Sequence, residues 1–72
     1  MATKEAVEWF KGLSSRQKKD VAERAGIKIG TLRNIFYSGR KTSPETVCKI
    51  ERATNYKIKR YQIMPEYDWS LF

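Results

Sequence analysis

The side chains that carry out most enzyme chemistry are scarce in this chain. It has no histidine, and Cys48 is its single cysteine. A zinc site of nitrogen and sulfur ligands, a disulfide framework and a Cys–His nucleophile pair are therefore excluded. The acids Glu45, Glu51, Glu66 and Asp68 show no spacing typical of a general acid/base pair, and no phosphate-binding loop or metal motif is present. We therefore expect neither an enzyme nor a cofactor.

Basic side chains are the more informative group. The 72 residues include 15 Lys and Arg against 8 Asp and Glu, which gives a formal net charge of +7. Residues 16–41 contain eight basic residues and two acids, so this one segment holds a net charge of +6. Such concentration is typical of a surface that binds a polyanion, whereas a solubilising surface mixes both signs evenly. The charge pattern favours a nucleic acid as partner.

The length predicts one small domain, residues 1–72, with a radius of gyration of roughly 11 Å. No apolar run approaches the roughly 20 residues that a membrane span requires, and the first residues lack the apolar core of a signal peptide. We therefore expect a cytoplasmic protein without a membrane partner.

Helix signals divide the chain into four or five short helices. They are residues 3–11; a helix capped by Ser14 and ending before Gly26; residues 29–37; a helix capped by Ser43 and ending at Thr54; and residues 59–64. Residues 56–59 also alternate like a strand. The predicted fold is all-α, and the alternative is an α+β fold with a short C-terminal strand or hairpin.

Residues 16–37 pair two of these helices across a sharp turn. Ala22 is small enough to let the helices approach closely, and Gly26 is suited to the turn between them. Leu32 and Ile35 place the second helix over a core. This spacing predicts a helix-turn-helix, a motif that inserts its second helix into the DNA major groove. The alternatives are a plain αα-corner and, less favoured, duplex RNA, whose major groove is narrow.

The same residues resemble a known family. Residues 22–32 (AERAGIKIGTL) are similar to the repressor pattern A-x-x-x-G-V-S-x-G-T-V. Residues 38–41 (SGRK), 43–45 (SPE) and 49–54 (KIERAT) resemble the N-G-K-R, P-A-E and I-E-R-A-T of phage Cro-like proteins, closest to the YdaS-like branch. The resemblance covers about residues 5–68.

The resemblance implies a small helical DNA-binding transcription regulator, a Cro-type repressor of phage or prophage acting at palindromic operators. It also implies a bacterial cell as the location, with the protein associated with the nucleoid. The alternative is an antitoxin that neutralises a toxin partner and autoregulates its operon. Lys28, Ile29 and Ile35 stand where the family often has serine, glutamine and tryptophan, and residues 64–66 (MPE) replace its R-P-D. Because these positions differ, the operator sequence does not follow from the family.

The candidate base contacts are the residues of the second helix that do not face the core. Arg33 suits guanine O6 and N7, Asn34 suits adenine N6 and N7, and Ile29 suits a thymine methyl group. Gly30 lets the helix backbone come close to DNA. The whole predicted set is Lys28, Ile29, Gly30, Arg33, Asn34 and Tyr37.

Two further groups complete the predicted site. Candidate phosphate contacts flank the second helix and would fix register without reading sequence. They are Gln17, Lys18, Ser38, Arg40 and Lys41. The C-terminal arm, about residues 65–72, must fold back on the domain or pair subunits, because it carries large apolar residues. Its candidate dimer contacts are Tyr67, Trp69, Leu71 and Phe72, and we expect a weak homodimer that assembles on DNA.

The +6 segment predicts a strong salt dependence of DNA binding. If about six to eight phosphates are contacted per dimer, log K should fall against log salt with a slope of about −5 to −7, because each contact releases counterions. Fluorescence anisotropy of a labelled duplex over a salt series measures this slope. A slope shallower than about −2 would show that the segment does not lie along the backbone.

Overall fold

The helices begin where side chains can satisfy their first amide groups. The computed structural model describes residues 2–38 and 42–71 of the chain. Helices α1 to α5 span Lys4–Lys11, Ser15–Ala25, Ile29–Arg33, Pro44–Ala53 and Arg60–Ile63; α3 continues directly into a π-helical turn at Asn34–Ser38, and a 3₁₀ turn covers Trp69–Leu71. The predicted all-α fold is confirmed, and the described residues include no strand.

Three helix starts are capped by side chains: Ser14 and Ser43 cap as predicted, whereas Thr3, predicted as the first helical residue, is the N-cap of α1. The Thr3 hydroxyl accepts from the amide of Ala6, and the Ser43 hydroxyl accepts from the amide of Thr46. At α2 the capping box is complete. The Gln17 amide donates to the Ser14 hydroxyl at 3.1 Å, while the Gln17 side chain accepts from the Ser14 amide at 2.9 Å.

Two helix ends use a left-handed residue. At the end of α2, Gly26 has φ 71°, the Ile27 amide donates to the Ala22 carbonyl, and the Gly26 amide donates to the Glu23 carbonyl. This pattern is a Schellman motif, for which glycine carries no steric cost.

The end of α4 repeats the motif with Asn55. This residue has φ 58°, and the Tyr56 amide donates to the Glu51 carbonyl. The helix ends one residue earlier than predicted, at Ala53, and Thr54 is its C-cap.

The core lies between α2, α4 and the α3 segment, with α1 and α5 closing its sides. Phe10, Leu32, Phe36, Val47 and Ile50 have no exposed surface. Inward positions predicted on α1 to α4 are buried or half-buried, and Ile58 and Ile63 extend the core toward the C-terminus. The Cα radius of gyration is 10.9 Å, close to the expected value.

Glu51 joins α4 to α5 from inside the protein. Its side chain is only 6% exposed, yet it carries a carboxylate. One oxygen accepts from the Arg60 amide at 2.9 Å, which caps α5, and the other lies 3.3 Å from Arg60 Nε and 3.2 Å from Arg60 Nη2. A buried charge is tolerated only when it is paired and hydrogen-bonded in this way. The short helix therefore forms where Glu51 fixes its first residue.

We expect Glu51→Ala to lower the free energy of unfolding by about 2–3 kcal/mol, because it removes the cap and leaves the partly buried Arg60 unpaired. The corresponding fall in melting temperature is on the order of 10–20 °C for a domain of this size. Thermal and urea denaturation followed by circular dichroism measure both quantities. The matched control is Glu45→Ala on the exposed first turn of the same helix, which should cost less than about 1 kcal/mol. Equal losses would contradict a special role for Glu51.

Candidate nucleic-acid interface

The turn between α2 and α3 holds the two helices in the predicted arrangement. Ala22 is buried against its neighbours, and the left-handed Gly26 reverses the chain. Lys28 then takes an extended conformation as N-cap of α3, with its carbonyl accepting from the Leu32 amide at 3.1 Å. The described backbone over residues 16–37 is therefore a helix-turn-helix-like unit, with two helices joined by a tight turn.

The outward face of α3 carries most of the predicted base contacts. Leu32, Ile35 and Phe36 are buried, which turns the opposite side of the helix to solvent. Lys28, Gly30, Arg33 and Tyr37 are exposed, whereas Ile29 and Asn34 are half-buried. Five predicted residues thus follow one another along a single helical segment that starts at Ile29, with Lys28 at its N-cap.

Arg33 is available for an external partner. Within the described residues, no carboxylate pairs with Arg33. A guanidinium in this position keeps its donors for a planar acceptor such as a guanine edge or a phosphate.

Two residues of α3 differ from the expectation in how much surface they offer. Ile29 packs in part against the core, so only the remainder of its side chain is open to a ligand. Thr31 is exposed on α3 and was not among the predicted contacts. The signal that could have identified it is its hydroxyl, which can bond either a base edge or a phosphate.

The aromatic rings beneath α3 link it to α1 and α2. Phe10 stacks on Phe36 with ring centroids 4.4 Å apart and 5° between the planes, and the Tyr37 ring meets Phe10 edge-on at 5.3 Å. Lys18 of α2 holds its ammonium 5.0 Å from the Phe10 centroid. One buried ring therefore positions a predicted phosphate contact, Lys18, and a predicted base contact, Tyr37.

The segment that follows α3 is wound more loosely than predicted. An α-helix was expected to continue to Tyr37, but residues Asn34–Ser38 form a π-helical turn. This winding buries both Ile35 and Phe36 while Tyr37 and Ser38 stay exposed.

The structure describes three of the five predicted phosphate contacts. Gln17 lies in the first turn of α2 and uses its side-chain oxygen in the capping box. Lys18 is half-buried against Phe10, and Ser38 is exposed at the end of the π turn. Arg40 and Lys41 lie outside the described residues.

The C-terminal arm folds back on its own domain over most of its described length. Trp69 packs against the core, donates from Nε1 to the Met64 carbonyl at 3.0 Å, and lies 5.8 Å from the Arg60 guanidinium. Tyr67 meets Trp69 edge-on at 4.7 Å. Leu71, by contrast, is 79% exposed. Phe72 lies outside the described residues.

A polar turn holds the arm in this position. The Ser70 hydroxyl and then its amide donate to the Asp68 carboxylate, which lowers the pKa of Asp68 below its usual value. Tyr67 and Trp69 therefore have an intramolecular role, and Leu71 is the predicted dimer contact that stays open.

Neither a metal centre nor a membrane span is visible in the described segments. Residues 2–38 and 42–71 include no cluster of three or more His, Cys, Asp or Glu able to hold a metal ion. Within the same segments, no helix has the length and apolar character needed to cross a bilayer.

Fold and surface together define the class: a small all-helical domain built around a helix-turn-helix-like unit. A family model described as "Bacterial toxin YdaS" matches residues 17–72. This match covers most of the chain, and the protein belongs to the YdaS family. No curated protein and no solved structure gives a significant match.

Two glycines of this unit should respond to alanine in opposite directions. Gly26→Ala is expected to cost about 1–2 kcal/mol of stability, because a side chain strains the left-handed conformation. Gly30→Ala should raise stability by about 0.5–1 kcal/mol, because alanine favours the helix. Apart from the adjacent residues and the backbone of its own helix, a Cβ at Gly30 would meet no atom of the described protein within 4 Å. Urea denaturation of both variants measures the difference, and a destabilised Gly30→Ala protein would contradict an open α3 face.

Proposed function

We propose that the protein is a sequence-specific DNA-binding transcription regulator that inserts α3 into the major groove. The observation that carries this proposal is the exposed α3 face, on which Gly30, Arg33 and Tyr37 follow one another opposite a fully buried side. Arg33 has no acidic partner among the described residues, so its donors can pair with a guanine edge. The protein would act as a Cro-type repressor.

The charge distribution supports DNA over other polyanions. Most of the positive excess lies on the helix-turn-helix and the residues that follow it, where the phosphates on either side of a groove-bound helix run. Lys18 is held beside α3 by Phe10, which brings one ammonium to this surface. An A-form RNA duplex has a major groove too narrow for such a helix.

The operator would be palindromic and bound by two copies. One α3 face reads only a few base pairs, and two-fold pairing places half-sites about 34 Å apart. Tyr67 and Trp69 are engaged within the protomer, so the free protein would pair weakly and assemble on DNA. Among the described residues of the arm, exposed Leu71 is the candidate contact best placed for that pairing.

We expect Arg33→Ala to cost about 1–3 kcal/mol at the preferred site and to relax the preference at one base pair, because it removes a bidentate base contact. The site is first obtained by selection from random duplexes, and anisotropy then gives affinities for the site and for unrelated DNA. Lys41→Ala is the comparison, since loss of a phosphate contact should weaken all duplexes about equally.

Gly30→Ala provides a control for the position of the helix. It adds a methyl group to the outward face without a clash inside the protein. It should weaken binding to every duplex while the domain stays folded, because the α3 backbone approaches DNA there.

Equal losses on specific and unrelated DNA for Arg33→Ala would show that Arg33 touches only phosphate. Unchanged binding in both variants would place DNA elsewhere.

A second candidate function comes from the description of the matching family, which names a bacterial toxin. In this case the chain itself would inhibit bacterial growth, with DNA binding as the means. Induced expression in a bacterial host should then arrest growth, and Arg33→Ala should restore it at equal protein level. Growth arrest that persists in Arg33→Ala would separate toxicity from DNA binding. Normal growth with the unaltered protein would remove this candidate and leave the antitoxin role as the remaining alternative.

A further inference from the structure

A groove runs between α2 and α4 on a part of the surface that α3 does not line. Two open cavities of about 250 and 270 Å³ adjoin each other here, because Arg24 and Ala53 line both of them. None of the outward residues of α3 contributes to its walls. We call this depression the α2–α4 groove.

The rim of the α2–α4 groove is basic. Lys49 and Arg52 line one end and Lys57 lines the other, and all three are exposed. Arg24 is paired with Asp20 at 3.2 Å, one helical turn away. Within the described residues, Lys49, Arg52 and Lys57 have no carboxylate partner, so three positive charges face the groove uncompensated.

Part of the groove lining is apolar, and we call this part the floor; the polar residues Gln17, Asp20, Thr54 and Asn55 line the rest. Trp9, Leu13 and Ala53 are half-buried and pack against the core, and Val21 lies buried beside them. Their remaining surface opens into the groove instead of closing over it. A phosphate chain offers nothing to such a floor, whereas apolar side chains of a protein would gain by covering it.

The dimensions fit a short helical segment. The α2 wall runs from Gln17 to Arg24, which at 1.5 Å per residue is about 10 Å, or two helical turns. A helix lying there would place apolar side chains on the floor and side chains from its edges at the basic rim.

We propose that the α2–α4 groove binds an acidic amphipathic helix of a partner protein. Apolar residues of that helix cover Trp9 and Leu13, and its Asp or Glu side chains pair with Lys49, Arg52 and Lys57. The proposal does not depend on DNA binding, because the groove and the α3 face are lined by different residues. A regulator with both surfaces could hold DNA and a protein partner at once.

The test uses the full chain and a synthetic amphipathic helix of about three turns, with glutamates beside a leucine stripe. Two-dimensional ¹H–¹⁵N NMR follows the indole signals, with Trp9 as the reporter in the groove and Trp69 as the internal reference outside it. We expect the peptide to shift the indole signal of Trp9 and to leave the indole signal of Trp69 unchanged. A peptide of equal charge without the leucine stripe should bind at least about tenfold more weakly, because the floor is then left uncovered.

Charge reversal then tests the rim. The double variant Lys49→Glu with Arg52→Glu should weaken peptide binding about tenfold or more, because it replaces attraction with repulsion at the interface. The matched control, Lys4→Glu with Lys11→Glu on exposed positions of α1, makes the same change in net charge and should alter affinity less than about threefold. Circular dichroism verifies that both variants are folded.

Three outcomes would overturn the proposal. Equal weakening by the two double variants would show attraction by net charge alone. Equal binding of the stripe-free peptide would show that the floor is not used. If instead a short DNA duplex shifts the Trp9 signal, and charge reversal at Lys49 and Arg52 abolishes that shift, the groove is a nucleic-acid surface. DNA binding through α3 is measured separately with Arg33→Ala, so failure of either proposal leaves the other open.

Discussion

The stacked pair of Phe10 and Phe36 joins the first helix to the surface that the protein presents through α3. Their centroids are 4.4 Å apart, and neither ring has exposed surface. Because Tyr37 and Lys18 both lie against Phe10, one buried contact sets the position of groups on two elements of the helix-turn-helix. Offset and edge-on aromatic pairs add specific geometry to the burial of area, so they fix orientation as well as stability.

A second buried contact organises the other end of the molecule. Glu51 holds the start of α5 through Arg60, and the Arg60 guanidinium in turn lies over Trp69. The I-E-R-A-T stretch thus has a structural use, since its acid is an internal cap and its alanine belongs to the groove floor. Among the described residues, the basic side chains that take no part in the Glu51–Arg60 contact remain at the surface.

The surface therefore carries two regions of different chemistry. The α3 face combines an arginine and a glycine with few apolar groups, which suits the polar edges of base pairs. The α2–α4 groove combines lysine and arginine with a tryptophan and a leucine, which suits an amphipathic protein segment. The two regions are lined by different residues, so a chain of 72 residues presents two separate surfaces around one small core.

The sequence by itself determined the features that depend on neighbours a few residues apart. The caps at Ser14 and Ser43, the left-handed Gly26 and the periodic core positions all result from contacts within one or two helical turns. The outward position of Arg33 follows from the same periodicity.

Only the tertiary structure decided what depends on residues far apart in the chain. The π-helical turn at Asn34–Ser38 contains Phe36, which stacks on Phe10 of α1, far away in the chain. Burial of Glu51 depends on Arg60, nine residues later, and the inward position of Trp69 depends on Met64 and on the core. No local pattern encodes these partners, because burial and charge pairing across helices exist only after the helices have packed together.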